Sequence, residues 1–135
     1  MSSKISFHLV NEGLIFDDGN IKVTAVHTDH MIAASNIAYG YILEADGQKL
    51  YITGDLNGTL CDFPNELLSN PFDMVITECA HFSGEALIEK IKTVNTKKLG
   101  VVHVFTLDKY DVLKEYAKKA PFEMYFPNDG DVIKI

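Results

Sequence analysis

Three residues combine a ligating side chain with a position at the end of an apolar, strand-like run: His30, Asp55 and His103. His30 ends Val26-His27-Thr28-Asp29-His30, Asp55 ends Ile52-Thr53-Gly54-Asp55, and His103 sits in Val101-Val102-His103-Val104-Phe105. Loops at strand ends are where α/β sheets place their sites. Imidazole nitrogen with carboxylate oxygen suits Zn²⁺, and also Fe²⁺ or Mn²⁺. His27, in the same strand tail as His30, is a further candidate ligand. His81 follows Glu78-Cys79-Ala80 at another strand end and carries more weight than His8, which alternates with Phe7 and Leu9 like a surface strand residue. Each candidate also has a plainer role. Asp55 suits a turn or a helix cap, His103 a buried imidazole satisfied by a carbonyl, and His27 with His30 a solvated loop pair.

The elements that must position these groups follow from the patterning. Residues 5–10 and 14–16 read as strands separated by the turn signal Asn11-Glu12-Gly13. Asp17-Asp18-Gly19-Asn20 marks a second turn, after which Ile21, Val23 and Ala25 alternate with Lys22 and Thr24 as in a half-buried strand. Residues 31–36 read as irregular. Residues 37–44 and 49–53 form two strands joined at Asp46-Gly47, a strong hairpin signal because Gly accepts the positive φ of a tight turn.

From residue 73 the pattern becomes strand and helix in alternation. Residues 73–78 and 99–105 are apolar strands of the buried kind. Ser83 is placed to cap a helix carrying Leu87, Ile88, Ile91 and Val94. Asp108 or Thr106 is placed to cap a second helix with Leu113, Tyr116, Ala117 and Ala120 on one stripe, with Lys118-Lys119 at its negative end and Pro121 as its stop. Residues 122–126 and 132–135 read as closing strands around Asp129-Gly130. The expectation is an α/β unit over residues 1–135 with a mixed sheet and helices on one face.

Composition narrows the function classes. The chain has 135 residues, 47% hydrophobic and 23% charged, enough for a real core and unlike a disordered polymer. Twelve basic against nineteen acidic residues, net −7, with no basic run, argues against a nucleic-acid backbone as the main partner and leaves room for a small anionic substrate held by a metal. No run reaches the roughly 18 apolar residues of a membrane span, and residues 1–6 lead into no signal-peptide core. Cys61 and Cys79 form neither a redox pair nor a zinc-ribbon spacing, so a reducing cytoplasm is the expected location. No Gly-rich phosphate loop follows any strand, which sets aside a nucleotide-binding fold.

The order of these segments resembles the C-terminal half of a metallo-β-lactamase-fold hydrolase, an αββα sandwich. The likeness rests on Val23 through His30, on the run from Tyr39-Gly40-Tyr41 through Asp46-Gly47 to Gly54-Asp55, on Phe72 through His81, on Lys98 through His103, and on the closing Asn128-Asp129-Gly130-Asp131. It covers about residues 20–135. The family's H-x-H-x-D-H signature is absent. Ala25-Val26-His27-Thr28-Asp29-His30 approximates it, with Ala where the first His belongs. That segment is either a decayed signature, with His27, Asp29 and His30 as ligands, or the family's third motif with His30 alone. The second register is preferred, because Met31-Ile32-Ala33-Ala34 lacks the Gly-rich turn that follows a true signature.

The resemblance implies a metal-dependent hydrolase, or the C-terminal part of one, acting on a small-molecule phosphoester, lactone, thioester or amide. It implies a divalent metal, Zn before Fe or Mn, with Asp55 bridging two ions, His30 on one and His103 on the other. It places His81 as a substrate contact or proton donor and Glu78 as the residue that orients it. The competing reading is a non-catalytic, degenerate module kept for binding or assembly, since three ligands are few for a two-metal site. Half a sandwich also leaves one sheet face bare, so a homodimer is expected, or a partner supplying the missing N-terminal half.

Overall fold

The computed structural model describes residues 6–30 and 37–135. Its elements run β1 (Gly13–Asp17), β2 (Ile21–Thr28), β3 (Ala38–Ala45), β4 (Gln48–Ile52), α1 (Glu66–Ser69), β5 (Phe72–Cys79), α2 (Gly84–Ile91), β6 (Thr96–Val104), α3 (Leu107–Ala117) and β7 (Glu123–Tyr125). All seven strands join one sheet whose spatial order is their sequence order. β1 to β4 form an antiparallel meander, and β4 to β7 pair parallel.

Local chemistry sets each connection. Between β1 and β2, Asp18 Oδ1 accepts the N–H groups of Asn20 and Ile21 at 2.9 and 2.8 Å. Those two amides hold the Asp18 carboxyl below the usual carboxylate range. Between β3 and β4, Asp46 and Gly47 both take positive φ, 51° and 76°, the twist a two-residue hairpin requires. The parallel pairs need crossovers, and α1, α2 and α3 lie in them. Ser83 caps α2 by accepting the Ala86 N–H at 3.2 Å. Thr106 stands at the cap of α3 without a side-chain bond to the helix amides.

The registers give the sheet two unlike faces. Ile42, Tyr51, Val75, Leu99 and Val101 point to the side covered by Leu87 and Ile91 of α2, Leu113 of α3, and Leu56, Leu60, Phe63 and Leu67 of the β4–β5 connection. Val23, Tyr41, Leu43, Leu50, Ile52, Ile76 and Val102 point the other way and are only half-buried. The helices thus sit on one face, as expected. The opposite face is crossed near one end by the C-terminal tail. There Gln48 Nε2 donates to Ile135 O at 2.9 Å, and Lys98 Nζ donates to Lys134 O. Near its other end Tyr39 Oη donates to Val10 O at 3.3 Å. Among the described residues no helix is long and apolar enough to cross a membrane.

Two expected strands do not form. Residues 6–10 carry no strand, and Phe7 and Leu9 lie almost fully exposed. Residues 132–135 are irregular and cross the bare face instead of extending the sheet beyond β7. In both cases the apolar pattern is present, but among the described residues no paired neighbour supplies the ladder that would bury it. Ile5 and residues 31–36 lie outside the described residues.

Tyr51 is fully buried, and its hydroxyl has no hydrogen-bond partner among the described residues. Burial, reinforced by Glu66 and Asp62, raises its pKa. An orphaned buried hydroxyl costs roughly 1–3 kcal/mol. Tyr51→Phe keeps the ring against Phe72 and should leave urea-unfolding stability unchanged or raise it by up to about 1 kcal/mol. A loss above about 1 kcal/mol would mean that the hydroxyl has a partner.

Candidate metal centre

The exits of β2, β4, β5 and β6 meet at one edge of the sheet, and each is shaped to deliver one or two polar side chains. At the β4 exit, Gly54 has φ +64°, and a Cβ there would stand 2.6 Å from Tyr39 O. Gly40 on β3 is equally constrained, since its Cβ would stand 2.7 Å from Thr53 O. The two glycines let β3 and the β4 exit approach closely and turn Asp55 off the sheet. Asp55 is fixed further by Thr28 Oγ1, which donates to its carbonyl at 3.3 Å.

At the β5 exit, Glu78 is 2% exposed. Oε1 accepts the Leu56 N–H at 2.7 Å, and Oε2 accepts the Ala80 and His81 N–H groups at 2.8 and 3.3 Å. His81 Nδ1 lies 2.7 and 2.8 Å from the same two oxygens. A carboxylate can only accept, so the His81 proton resides on Nδ1 and the lone pair on Nε2. The exit is held from the other side by Lys109 of α3, whose Nζ donates to Cys79 O at 3.1 Å and Ala80 O at 2.8 Å.

The β6 exit departs from strand geometry. Strict alternation would place His103 with Leu99 and Val101 beneath the helices. Instead the ladder pairs Glu78 with Val102 and Cys79 with Val104, leaving His103 as the extra residue of a bulge with φ +49°. Bulges beside sites re-aim a side chain in this way. The His103 Nδ1 comes to 3.2 Å from Asp55 Oδ1. At the β2 exit, His30 Nδ1 lies 3.0 Å from Leu56 O, a carbonyl that can only accept, so Nε2 again carries the lone pair. That nitrogen stands 3.9 Å from Asp55 Oδ2.

Asp55, Glu78, His81 and His103 each offer a ligand atom, all within 4.8 Å of one another. His30 adjoins them through Asp55, and its ring centroid is 4.4 Å from that of His81. Donors on one ion at bonds of about 2.0–2.2 Å stand roughly 3–4 Å apart. The donor set is imidazole and carboxylate, with the proton of two imidazoles already placed away from a lone pair. These residues fit a divalent cation. Glu78 has its oxygens engaged by amides and His81, so it suits orientation better than ligation. A hollow of about 90 Å³ adjoins the group, with Ile52, Ile76 and Val102 as its apolar wall beside Asp55, Glu78 and His103.

Of the candidates named from sequence, His30, Asp55, Glu78, His81 and His103 are brought together. His27 is not in this group. It lies on the face opposite Val26, with Nδ1 3.7 Å from Asp29 Oδ1 and its ring edge-on to Tyr39. Sequence reasoning missed Lys109 and Asp62, whose roles are bonds to backbone atoms distant in the chain. Cys79 lies directly after Glu78, and burial pushes its thiol up to about 11.

Glu78→Ala removes the acceptor of three backbone N–H groups in a buried site, and should cost about 3 kcal/mol or more in urea unfolding. Glu78→Gln retains one acceptor oxygen and should cost less. The thiols give a second check. Cys61 is exposed and should react with an aromatic disulfide reagent in the native state, while Cys79 should react only after unfolding.

No family model and no curated protein sequence matches the chain. Solved structures do. A metallo-β-lactamase-fold protein of Bacillus subtilis, YhfI, superposes with a TM-score of 0.67 at 18% identity, over 88% of this chain and 52% of its own. Igni18, a metallo hydrolase of Ignicoccus hospitalis, gives 0.70 at 12% identity, over 92% and 58%. CmlA, a diiron β-hydroxylase of Streptomyces venezuelae, gives 0.58 at 9% identity, over 82% and 31%. The chain spans about half the length of the first two. It therefore has the metallo-β-lactamase fold over roughly half of that fold's extent, consistent with a C-terminal half.

Proposed function

We propose that the chain holds a divalent metal between His30, Asp55 and His103 and serves hydrolysis of a small-molecule phosphoester, lactone or thioester. The observation that carries this is the convergence of Asp55, Glu78, His81 and His103 within 4.8 Å, with His30 Nε2 3.9 Å from Asp55 Oδ2. A cation bound there would supply Lewis acidity and a water whose pKa falls toward about 7. The rest is the work of the chain's own groups. Asp55 turns Oδ1 toward His103 and Oδ2 toward His30, so one carboxylate serves both imidazoles. Glu78 keeps the His81 proton on Nδ1, leaving Nε2 to accept a proton from a nucleophile or return it to a leaving group. Ile52, Ile76 and Val102 form an apolar wall on one side of the hollow beside Asp55 and His103. Zinc is the first choice of ion, with iron and manganese compatible with the same donors.

A second reading is a metal-binding module without turnover. It is favoured by the exposure of Asp55 and His103, whose side chains are 45% and 42% accessible. We also propose a second copy of the chain as the cover of the helix-free face. Its half-buried apolar row suits an interface of about 1,500 Å² in total. Sedimentation equilibrium should then show a dimer, and a single 15.0 kDa species would overturn it.

Elemental analysis of protein purified without chelators or nickel resin tests the metal centre. It should show about one or two tightly held equivalents per chain, lost on Asp55→Ala. An absence of bound metal in wild-type protein equilibrated with micromolar zinc would sink the proposal. The chain alone should turn over generic phosphodiesters and lactones well below about 1 s⁻¹. Full metal occupancy with no turnover on any ester class would favour the non-catalytic module.

A further inference from the structure

The exits of β2 and β4 are laced together by a residue that belongs to neither strand. Asp62 Oδ2 accepts the Asp29 N–H at 2.8 Å and the Asn57 N–H at 3.0 Å, and Oδ1 accepts the same Asn57 N–H at 3.0 Å. Asp29 immediately precedes His30, and Asn57 is two residues beyond Asp55. Asn57 strengthens the joint, since its Nδ2 donates to Asp29 O at 3.2 Å. The segment that returns Asp62 to this position is itself anchored. Leu56, Leu60 and Phe63 are buried in the core, Leu60 takes φ +55°, and its N–H closes a turn onto Asn57 O at 2.8 Å.

We infer that Asp62 is a positioning residue for the metal centre, fixing the spacing of His30 and Asp55 through backbone amides. The inference rests on the metal reading above. Among the described residues, the Asp62 and Asn57 bonds join Thr28 Oγ1 to Asp55 O and His30 Nδ1 to Leu56 O in tying the two exits together by side chains. Without Asp62 the amides of Asp29 and Asn57 lose their shared acceptor, so the β2 tail is held less tightly against the β4 exit and the 3.9 Å spacing of His30 Nε2 from Asp55 Oδ2 is less closely set. Supporting groups of this kind typically change metal affinity by about 10–100-fold when removed.

Two properties of Asp62 are separable: its negative charge, which attracts any nearby cation, and its acceptor geometry. Asp62→Asn removes the charge but can keep an oxygen where Oδ2 accepts both amides. Asp62→Ala removes both. Zinc affinity, measured by competition with a chromophoric chelator, should fall about 10–100-fold in Asp62→Ala and recover most of that loss in Asp62→Asn. Asp73→Ala is the control. Asp73 also accepts a backbone N–H, that of Lys49 at 2.8 Å, but in the β4–β5 region away from the strand exits. Its zinc affinity should match wild type within about twofold, even if its melting temperature falls. Equal affinities in Asp62→Asn and Asp62→Ala would assign the effect to charge and overturn positioning, as would an unchanged affinity in Asp62→Ala.

A metal-free readout separates this inference from the metal reading. In wild-type protein the ¹⁵N shifts of the His30 ring should report the tautomer with the proton on Nδ1, held by Leu56 O. In Asp62→Ala they should move toward a mixture of tautomers, while far-ultraviolet circular dichroism stays native. If wild-type protein binds no zinc yet His30 responds in this way, the metal reading fails and the positioning role stands. If the His30 ring is unaffected, the positioning role fails whatever the zinc affinity.

Discussion

Glu78 is a carboxylate with 2% exposure, and neither of its oxygens is left without a donor. Oε1 takes the amide of Leu56, next to Asp55, while Oε2 takes the amides of Ala80 and His81. Burying a carboxylate is unfavourable by several kcal/mol unless its oxygens are hydrogen-bonded. The compensation here comes from two loops at once, so neither can move without exposing an unsatisfied charge. Parallel pairing of β4 with β5 makes this possible by bringing both exits to the same edge of the sheet. The rest of the site is arranged around that joint. His81 reads its orientation from Glu78, Asp55 inherits its place from the amide beside it, and Lys109 secures the carbonyls on the far side of the β5 exit.

One candidate ligand itself sits in a strained backbone conformation. His103 adopts φ +49° and Gly54 φ +64°, whereas the strands behind them are regular. A non-glycine residue in that region costs on the order of 1 kcal/mol and persists only where its surroundings over-determine it. Leu99 and Val101 are fully buried against the helices and hold β6 in register up to the bulge. The hydrophobic face therefore supports the conformation that turns His103 away from it. A site built this way needs its core on one side and its chemistry at the edge.

How much of this could be read in the sequence depended on whether the cause was local. Asp46-Gly47 forms its hairpin and Ser83 its cap, because both are decided by residues within a few positions. Asp55 and His103 come together because β4, β5 and β6 run parallel and end at one edge, and His30 joins them because two antiparallel steps give β2 the same direction as β4; strand ends are visible as the limits of apolar runs. The converse cases are non-local. Phe7 and Leu9 alternate like a strand, but a strand needs a neighbour, and among the described residues none pairs with them. His103 in an apolar run gives no sign of the bulge, which is a property of its pairing with β5. His27 has the same residue type and nearly the same position as His30, but its place within β2 leaves it with Asp29 and Tyr39. Asp62 reads as an ordinary loop acid until the amides it accepts are known.

Metal affinity and catalytic power are separable in this architecture. Affinity depends on donor spacing, and that is fixed by strand exits, by Glu78 and by short loop contacts, all internal to the chain. Catalysis depends also on how dry the site is, because fixed charges and dipoles act strongly only where water is excluded. The hollow beside Asp55 and His103 is walled by Ile52, Ile76 and Val102, and these belong to the face that carries no helix. With that face open, Asp55 and His103 remain nearly half accessible and their electrostatics are screened. The C-terminal tail bonds to Lys98 and Gln48, away from the strand exits. The same donors would thus bind an ion weakly coupled to chemistry when the face is bare, and act in a water-poor pocket when it is covered. What covers the helix-free face decides between those two behaviours, because the donor set is the same in both.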